Sequence, residues 1–278
     1  MSLFITSLNS GSNGNCYYIA NEHEAVLVDV GISCREVEKR MSRLKLSLSK
    51  IKAVFISHEH SDHIKGVEVL SRKHGIPVFI TESTLKHGRL IIKAGLVNTF
   101  KAYEEITIGG LTITAFPKLH DASDPHSFVI SGNEVTVGVF TDIGYACNHV
   151  IENFKKCHAV FLEANYDVDM LENGNYPFYL KRRIQSDKGH LSNHQALELF
   201  REHKSNFLSH VLLAHLSKEN NSAQLVEQLF AQQRGETKIT VASRDYETAL
   251  YHILANTTNL APEFVEPSRI ISVQMSLF

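Results

Sequence analysis

The hexapeptide HEHSDH at residues 58–63 constrains this chain more than any other feature of its sequence. It follows an apolar segment predicted to form a strand over residues 53–56, and it runs into a predicted helix that begins near residue 63. Side chains two residues apart in an extended chain point the same way, so His58 and His60 can bind one metal ion. Asp62 and His63 stand at the turn into the helix, where they can serve a second ion. The alternative is a solvated polar loop, but this density of ligand types favours a metal site.

The composition is that of an ordinary globular protein, with 278 residues, of which 43% are hydrophobic and 21% charged. No segment approaches the roughly 20 uninterrupted apolar residues of a membrane span, and no basic start followed by an apolar run marks a leader. We therefore expect a cytoplasmic protein without a membrane partner. The four cysteines, Cys16, Cys34, Cys147 and Cys157, form no CxxC pair and are too sparse for a disulfide scaffold, so reduced thiols are expected.

The net charge of −2 offers no general attraction for nucleic acid, so such a partner requires a local basic patch. The 16 histidines are the compositional oddity. Histidine is the commonest transition-metal ligand and the usual acid or base near neutral pH, so the places where histidines cluster are informative.

Strands and helices alternate along the chain, but several of the strands form hairpins. The predicted strands span residues 4–8, 16–20, 25–29, 53–56, 77–80, 135–140, 159–162 and 211–214, with a hairpin around Gly109 and Gly110. Helices are predicted over 35–44, over 63–74, after Ser192 with Gln195 in a capping box, and over 222–231 with a similar opening at Asn221 and Gln224. Residues 166–188 have weak periodicity and are predicted to form a surface excursion. The pattern favours a mixed α/β sandwich in one domain, residues 1–260, followed by a tail over 261–278.

Five motifs, in their order along the chain, resemble those of the metallo-β-lactamase superfamily. They are Asp29 in LVDVG, the HEHSDH segment, His120 in KLHD, Asp142 in FTDIG and His215 in LLAHLS. The resemblance implies an αββα sandwich, in which two mixed sheets are flanked by helices. It also implies that Asp29 orients the metal-binding loop.

The resemblance further implies two divalent metal ions per chain. One ion would be held by His58, His60 and His120, the other by Asp62, His63 and His215, and Asp142 would bridge them. Nitrogen and carboxylate ligands suit Zn²⁺ and also accept Mn²⁺.

Three further segments, KGHLSNHQA, LLAHLSKENN and FLEAN, are similar to motifs of the nuclease branch of this superfamily, which includes tRNase Z. In that branch the counterpart of His190 is a general acid oriented by the counterpart of Glu163, and a metal-bridging hydroxide, partnered by the counterpart of Asp62, attacks phosphorus. The chemistry is reasonable by itself, because phosphodiester cleavage expels a poor alkoxide leaving group that needs a proton. The alternatives are that His190 is a hydrogen-bonded residue before a helix cap and that Glu163 is a simple strand-end charge.

Within the nuclease branch, SGSNGNCYYI, GHLSN and AHLSKENN resemble the bacterial YycJ group, also called WalJ or VicX. This resemblance implies a DNA exonuclease acting in DNA repair or replication. The absence of an insertion like the arm of tRNase Z or the extra domain of RNase J favours DNA over structured RNA. Alternatives are an RNA-processing nuclease, a thioester hydrolase of the glyoxalase-II type, and a non-catalytic adaptor whose metal only holds the fold.

A basic and aromatic segment precedes His190. Lys181, Arg182, Arg183 and Lys188 could pair with phosphates, and the neighbouring aromatic side chains, Tyr176, Phe178 and Tyr179, could stack on an unpaired base. A solvated connector explains the segment equally well. The turn SGSNGN could offer backbone N–H groups to a phosphate, but tight turns between strands explain its glycines too.

The segment QMSLF at residues 274–278 resembles the short peptide by which bacterial repair and replication proteins dock on the DNA sliding clamp. Leu277 and Phe278 would fill an apolar pocket while Gln274 bonds at its rim, with Met275 between them. The alternative is a final strand packed on the domain. Residues 1–4 also read MSLF, so Gln274 and the nuclease context carry the clamp hypothesis.

Overall fold

A computed structural model describes residues 2–255. The predicted tail at 261–278, which carries Gln274, Met275, Leu277 and Phe278, lies outside the described residues. Within them, two seven-stranded sheets pack face to face.

The first sheet is mixed, with strand order β14-β1-β2-β3-β4-β5-β6. Its strands are β1 Ser2–Asn9, β2 Cys16–Ala20, β3 Ala25–Val28, β4 Ile51–Phe55, β5 Val78–Phe79, β6 Val97–Asn98 and β14 Tyr251–Leu254. The strands from β14 to β3 pair antiparallel, and those from β3 to β6 pair parallel. Both faces of β3 are buried, which accounts for its continuous apolar run AVLV.

The second sheet has the order β13-β12-β11-β10-β9-β8-β7 and is also mixed. Its strands are β7 Glu105–Ile108, β8 Leu111–Pro117, β9 His126–Gly132, β10 Val135–Phe140, β11 Ala159–Glu163, β12 His210–Ala214 and β13 Lys238–Val241. The strands β7 to β10 pair antiparallel and β10 to β13 pair parallel. The hairpin predicted at Gly109 and Gly110 is confirmed, since Ile108 faces Leu111 across the turn.

Helices cover the outer faces of both sheets. They are α1 Cys34–Arg43, α2 Ser61–Ile64, α3 Val67–His74, α4 Glu82–His87, α5 Asn148–Phe154, α6 Val168–Asn173, α7 Phe178–Ile184, α8 Asn193–His203 and α9 Ala223–Ala231. Helices α1 and α3 pack on the first sheet, and α5, α8 and α9 pack on the second. The predicted αββα sandwich is confirmed. Within residues 2–255, no helix has the length and apolar content needed to cross a membrane.

The central core lies between the sheets and is rich in aromatic side chains. The rings of Phe55 and Phe128 contact edge to face with centroids 5.8 Å apart, and Tyr17 meets Phe161 at 4.7 Å. Such close packing holds the strands, and therefore their ends, in fixed positions. The four cysteines form no disulfide, as predicted.

The prediction of a single helix over residues 63–74 is wrong in one respect, because the chain forms two helices there with a break at Gly66. The Gly66 N–H donates to the carbonyl oxygen of Val30 at 2.8 Å instead of continuing the helix. A Cβ at this position would lie 2.0 Å from the carbonyl oxygen of Ile32, so only glycine fits. The break leaves α2 as a single turn that carries Asp62 and His63.

Two other predictions also need correction. The predicted surface excursion over residues 166–188 contains two helices, α6 and α7, over a small cluster that buries Tyr166, Leu171 and Ile184, although the weak periodicity indicated no helix. Helix α9 is capped by Ser222, whose side chain accepts the Leu225 N–H, and not by Asn221. By contrast, the predicted capping box of Ser192 and Gln195 is confirmed at α8.

Candidate metal centre

The predicted site residues come together where strands of both sheets end. Asp29 follows β3, the HEHSDH segment follows β4, His120 follows β8, Asp142 follows β10, and His215 follows β12. Because each is attached to the end of a buried strand, the packed sheets fix their positions.

Three of these residues have a left-handed backbone that L-residues rarely adopt. The φ angles of Asp29, Asp142 and His215 are 60°, 54° and 56°. Each such conformation costs about 1–3 kcal/mol and persists only where the surroundings impose it. This shared bend after a strand directs the three side chains into the same space between the sheet ends.

The first donor cluster consists of His58, His60 and His120, with one ring nitrogen from each lying within 4.8 Å of the others. A hydrogen bond from His120 Nδ1 to the Gly189 carbonyl oxygen, at 3.0 Å, orients the His120 ring. The other ring nitrogen, Nε2, lies 3.4 Å from His60 Nδ1. Burial holds the pKa of His58 well below its usual range and lowers that of His120 to about 3. Both are therefore neutral imidazoles, the form that ligates metals.

The second donor cluster consists of Asp62, His63 and His215. The Asp62 Oδ2 lies 3.6 Å from His63 Nε2 and 3.4 Å from His215 Nε2. Burial alone would raise the pKa of Asp62, but the adjacent imidazoles of His63 and His215 lower it to about 2. The carboxylate is therefore ionised across the physiological range.

Asp142 lies between the two clusters. Its carboxylate is 3.1 Å from His63 Nε2, 3.4 Å from His215 Nδ1 and 3.7 Å from His120 Nε2. Burial would raise its pKa, but His215 and His63 hold it well below the usual range. This is the place that the sequence predicts for a residue contacting both clusters.

The donor set fits divalent metal ions. Among residues 2–255, the buried His58 Nε2 makes no hydrogen bond, and it belongs to this centre. An unsatisfied buried polar atom costs about 1–3 kcal/mol, which coordination to a cation removes. Imidazole and carboxylate donors are those of zinc and manganese sites.

Asp29 contacts the loop at Ser57 and His63 without belonging to either cluster. Its Oδ1 accepts the Ser57 N–H at 2.8 Å, and its Oδ2 accepts the Ser57 hydroxyl and His63 Nδ1, both at 2.7 Å. The bond to His63 fixes its tautomer, leaving Nε2 to face the centre. Carboxylate–histidine pairs of this kind orient metal ligands and raise their basicity.

Glu163, at the end of β11, is fully buried and holds two histidines at once. Its Oε1 accepts Nδ1–H of His190 at 2.8 Å and of His215 at 2.9 Å, while Oε2 accepts the N–H groups of Ile143 and Leu191. Burial would raise the pKa of Glu163, but the charge and hydrogen bond of His190 lower it to about 2. The pairing predicted with His190 is present, and the additional bond to His215 was not predicted.

The family follows from this site together with the sequence. The family described as "Beta-lactamase superfamily domain" matches residues 24–215, which contain both donor clusters. The chain belongs to the β-lactamase superfamily. It is a metal-dependent hydrolase of that superfamily.

Two relatives and one solved structure illustrate the likeness. The chain is 34% identical over 235 residues to "Exodeoxyribonuclease YycJ" of Bacillus anthracis, and 31% identical over 239 residues to "Exodeoxyribonuclease WalJ" of Streptococcus pneumoniae. Each match covers 84% of this chain and 89% of the relative. The metallo-β-lactamase fold protein YhfI from Bacillus subtilis superposes with a TM-score of 0.70 at 16% identity, covering 91% of this chain and 100% of that one. The last comparison shows the fold alone.

Sequence reasoning missed a buried chain of hydrogen bonds behind the centre of this β-lactamase-superfamily hydrolase. The Asn15 side chain donates to Asp62 Oδ2 at 3.3 Å and accepts the Tyr17 hydroxyl at 3.0 Å. Tyr17 in turn contacts Ser10 Oγ at 2.9 Å, and Ser10 Oγ accepts the N–H of His215 at 2.8 Å. The only sequence signal for this chain was the polar turn SGSNGN, which explains why Asn15 was not singled out.

The turn interpretation of SGSNGN is favoured over a phosphate-binding loop. The Gly11 N–H donates to Asn15 Oδ1 at 3.1 Å, and the Gly14 N–H donates to the Gly11 carbonyl at 2.9 Å. Gly14 has φ 149°, and a Cβ there would lie 2.6 Å from the side chain of Ile32. Two of the N–H groups are therefore used within the turn itself.

The predicted basic segment forms α7 and the loop after it, anchored beside the first cluster. Arg183 forms an ion pair with Asp121, the neighbour of His120, and the Asp121 N–H donates to the Lys188 carbonyl at 3.0 Å. The segment thus lies next to the metal centre, although the guanidinium of Arg183 already has a protein partner.

The solvent-exposed side of α7 carries the aromatic and cationic side chains noted in the sequence. Phe178 and Tyr179 are each 73% exposed, and Arg182 stacks over Phe178 at 5.2 Å from the ring centroid. Lys181 instead donates to the Glu172 carbonyl at 2.7 Å. Surfaces that bind single-stranded nucleic acid combine exposed aromatic rings with cationic side chains.

Proposed function

We propose that this hydrolase is a dinuclear-metal phosphodiesterase that degrades DNA from an end. The observation that carries the proposal is His190, held by buried Glu163 at 2.8 Å beside the donor clusters, with 18% of its side chain exposed. A hydrolase of thioesters does not require this pair. The two curated relatives named exodeoxyribonucleases, at 34% and 31% identity, support the same substrate class.

We assign the ligands to two divalent ions, Zn²⁺ or Mn²⁺. His58, His60 and His120 would hold one ion, the second cluster of Asp62, His63 and His215 would hold the other, and Asp142 would serve both. Bound ions would supply Lewis-acid activation of water and neutralise charge developing on the phosphate.

Asp62 is assigned as proton acceptor for the attacking water. Its pKa of about 2 keeps the carboxylate ionised, and 20% of its side chain remains exposed. The hydrogen bond from Asn15 to its Oδ2 at 3.3 Å limits the rotation of the carboxylate.

His190 is assigned as general acid. Because its Nδ1–H is committed to Glu163, its Nε2 is the nitrogen left for the substrate. Proton donation from Nε2 to the leaving oxygen avoids expulsion of an alkoxide, which is the costly part of cleaving a phosphodiester. The hydrogen bond to the buried Glu163 carboxylate fixes the orientation of the His190 ring.

A substrate panel tests the proposal. We expect metal-loaded protein to shorten linear DNA carrying a 5′ label and to leave closed circular DNA of the same sequence intact, because an exonuclease needs an end. RNA of the same sequence and an acylglutathione thioester are expected to react more slowly, and protein stripped of metal is expected to be inactive.

Each arm of the panel has a distinct meaning. Cleavage of the circle would contradict end-dependence, faster cleavage of RNA would move the substrate class to RNA processing, and turnover of the thioester alone would remove the nuclease assignment. If metal-loaded protein cleaves none of these substrates, the proposed nuclease function is wrong.

We extend the proposal to a place in DNA repair or replication, with docking on the sliding clamp through residues 274–278. Deleting these residues is expected to abolish capture by immobilised clamp and to leave cleavage of short oligonucleotides unchanged. Ser276→Ala serves as the matched control, because only Gln274, Met275, Leu277 and Phe278 are expected to contact the clamp. Undiminished capture after the deletion would contradict this part of the proposal.

A further inference from the structure

Arg244 lies in the loop after β13, beside the second donor cluster, and none of the motifs includes it. Its Nη2 donates to the Leu216 carbonyl oxygen at 2.9 Å, one residue after His215. A Cβ built at Gly11, one residue after Ser10, would lie 3.1 Å from the same nitrogen. The guanidinium therefore rests against both segments that carry the buried hydrogen-bond chain.

The loop is held in place by a second contact. The Asn13 side chain donates to the Arg244 carbonyl oxygen at 3.0 Å. With its backbone and one nitrogen both fixed, the half-buried side chain has lost much of its conformational freedom before any ligand arrives. Such preorganisation lowers the entropy cost of binding.

Within residues 2–255, the charge of Arg244 has no carboxylate partner. Within residues 2–255, no carboxylate oxygen lies within 4.0 Å of the Arg244 nitrogens, and its single side-chain partner is the neutral Leu216 carbonyl. A guanidinium has five N–H donors in a planar fork, so those not used by Leu216 remain for an anion.

The position of Arg244 complements that of α7. In the second sheet, β13 is the edge strand next to β12, whereas β8, which leads to His120 and Asp121, is the sixth strand in the order. The metal centre lies between the end of β13 and the end of β8. Cationic groups therefore flank it on two sides, Arg244 beside His215 and the α7 segment beside His120.

We propose that Arg244 binds a backbone phosphate of the nucleic-acid strand, flanking the scissile phosphate on the side of His215. This inference rests on the proposed nuclease function and adds a phosphate subsite to it. The ligand is a phosphodiester, which matches the paired N–H donors of a guanidinium. A second phosphate contact fixes the strand so that the bond to be cleaved lies over the metal centre.

The test compares Arg244→Gln and Arg244→Lys with the parent on a 5′-labelled single-stranded oligonucleotide over a series of salt concentrations. A lost charge-assisted contact of about 1.5–3 kcal/mol corresponds to roughly a 10- to 100-fold rise in KM for Arg244→Gln. The slope of log kcat/KM against log salt concentration is expected to fall by about 0.7, the value for one phosphate contact on a single strand. Arg244→Lys keeps the charge and is expected to keep the parent slope.

The matched control is Arg72→Gln, which removes an exposed arginine on the outer helix α3. It is expected to match the parent in KM and in salt slope. Metal content and thermal unfolding are measured for every variant. If Arg244→Gln keeps the parent salt slope, or if it and Arg244→Lys lose metal or stability together, Arg244 is a structural tether and the subsite is overturned. If the parent itself cleaves no phosphodiester, the proposed function fails with it.

Discussion

Replacing His190 with alanine is expected to lower kcat on DNA by about 100- to 10,000-fold while metal content stays at the parent level. General acid catalysis contributes a factor of this size. His190 is held by Glu163 and belongs to neither assigned ligand set, so its removal leaves the assigned metal ligands in place. Single-turnover rates and metal analysis by mass spectrometry measure the two quantities.

Leaving-group dependence separates proton donation from other roles. A p-nitrophenyl phosphodiester expels a stabilised anion and needs no proton, so the loss for His190→Ala on that ester is expected to be less than about tenfold. His194→Ala, an exposed histidine on α8 four residues later, is the control and is expected to resemble the parent. Equal losses on DNA and on the p-nitrophenyl ester would show that His190 does not donate the proton.

The second large effect is expected at Asp142. Its carboxylate lies within 3.7 Å of ring nitrogens in both clusters, so Asp142→Ala is expected to reduce metal content and to lower activity by about 1,000-fold or more. The factor corresponds to losing several kcal/mol of charge stabilisation by the ions. Metal stoichiometry, measured after dialysis against a fixed free metal concentration, is a readout independent of activity.

Asp124→Ala is the matched control for this charge change. Asp124 is 43% exposed and lies outside both donor clusters, so metal content and activity are expected to stay at the parent level. If Asp142→Ala retains two ions, the assignment of Asp142 to both ions is wrong, whatever its effect on rate.

Two buried carboxylates, Asp29 and Glu163, explain how a pocket of histidines keeps its geometry. Each accepts an Nδ1–H from a histidine of the second cluster, Asp29 from His63 and Glu163 from His215, and each also accepts backbone N–H groups. Because a buried carboxylate without partners is costly, both must remain fully hydrogen-bonded. The packed sheets position Asp29 and Glu163, and these carboxylates in turn fix the orientations of the His63 and His215 rings.

The amino-acid sequence determined the sandwich and the donor residues of the centre. HEHSDH, Asp142 and His215 are recognisable because each adjoins an apolar strand, and strand patterns depend on local alternation of residues. The family resemblance implied that Asp29 lies behind the loop and that Glu163 lies beside His190, and in the structure Asp29 contacts His63 and Glu163 contacts His190. The capping box at Ser192 is equally local, since it spans four residues.

Only the tertiary structure decided the contacts made between distant segments. Asn15 meets Asp62 across 47 residues, and Ser10 meets His215 across 205. The break at Gly66 follows from the approach of the backbone at Ile32, and the position of Arg244 follows from β13 pairing beside β12. Such contacts depend on how two sheets pack, which no local pattern encodes. The sequence, through its family resemblance, therefore indicated the candidate donors, while packing determined their tautomers, their supports and the cations beside them.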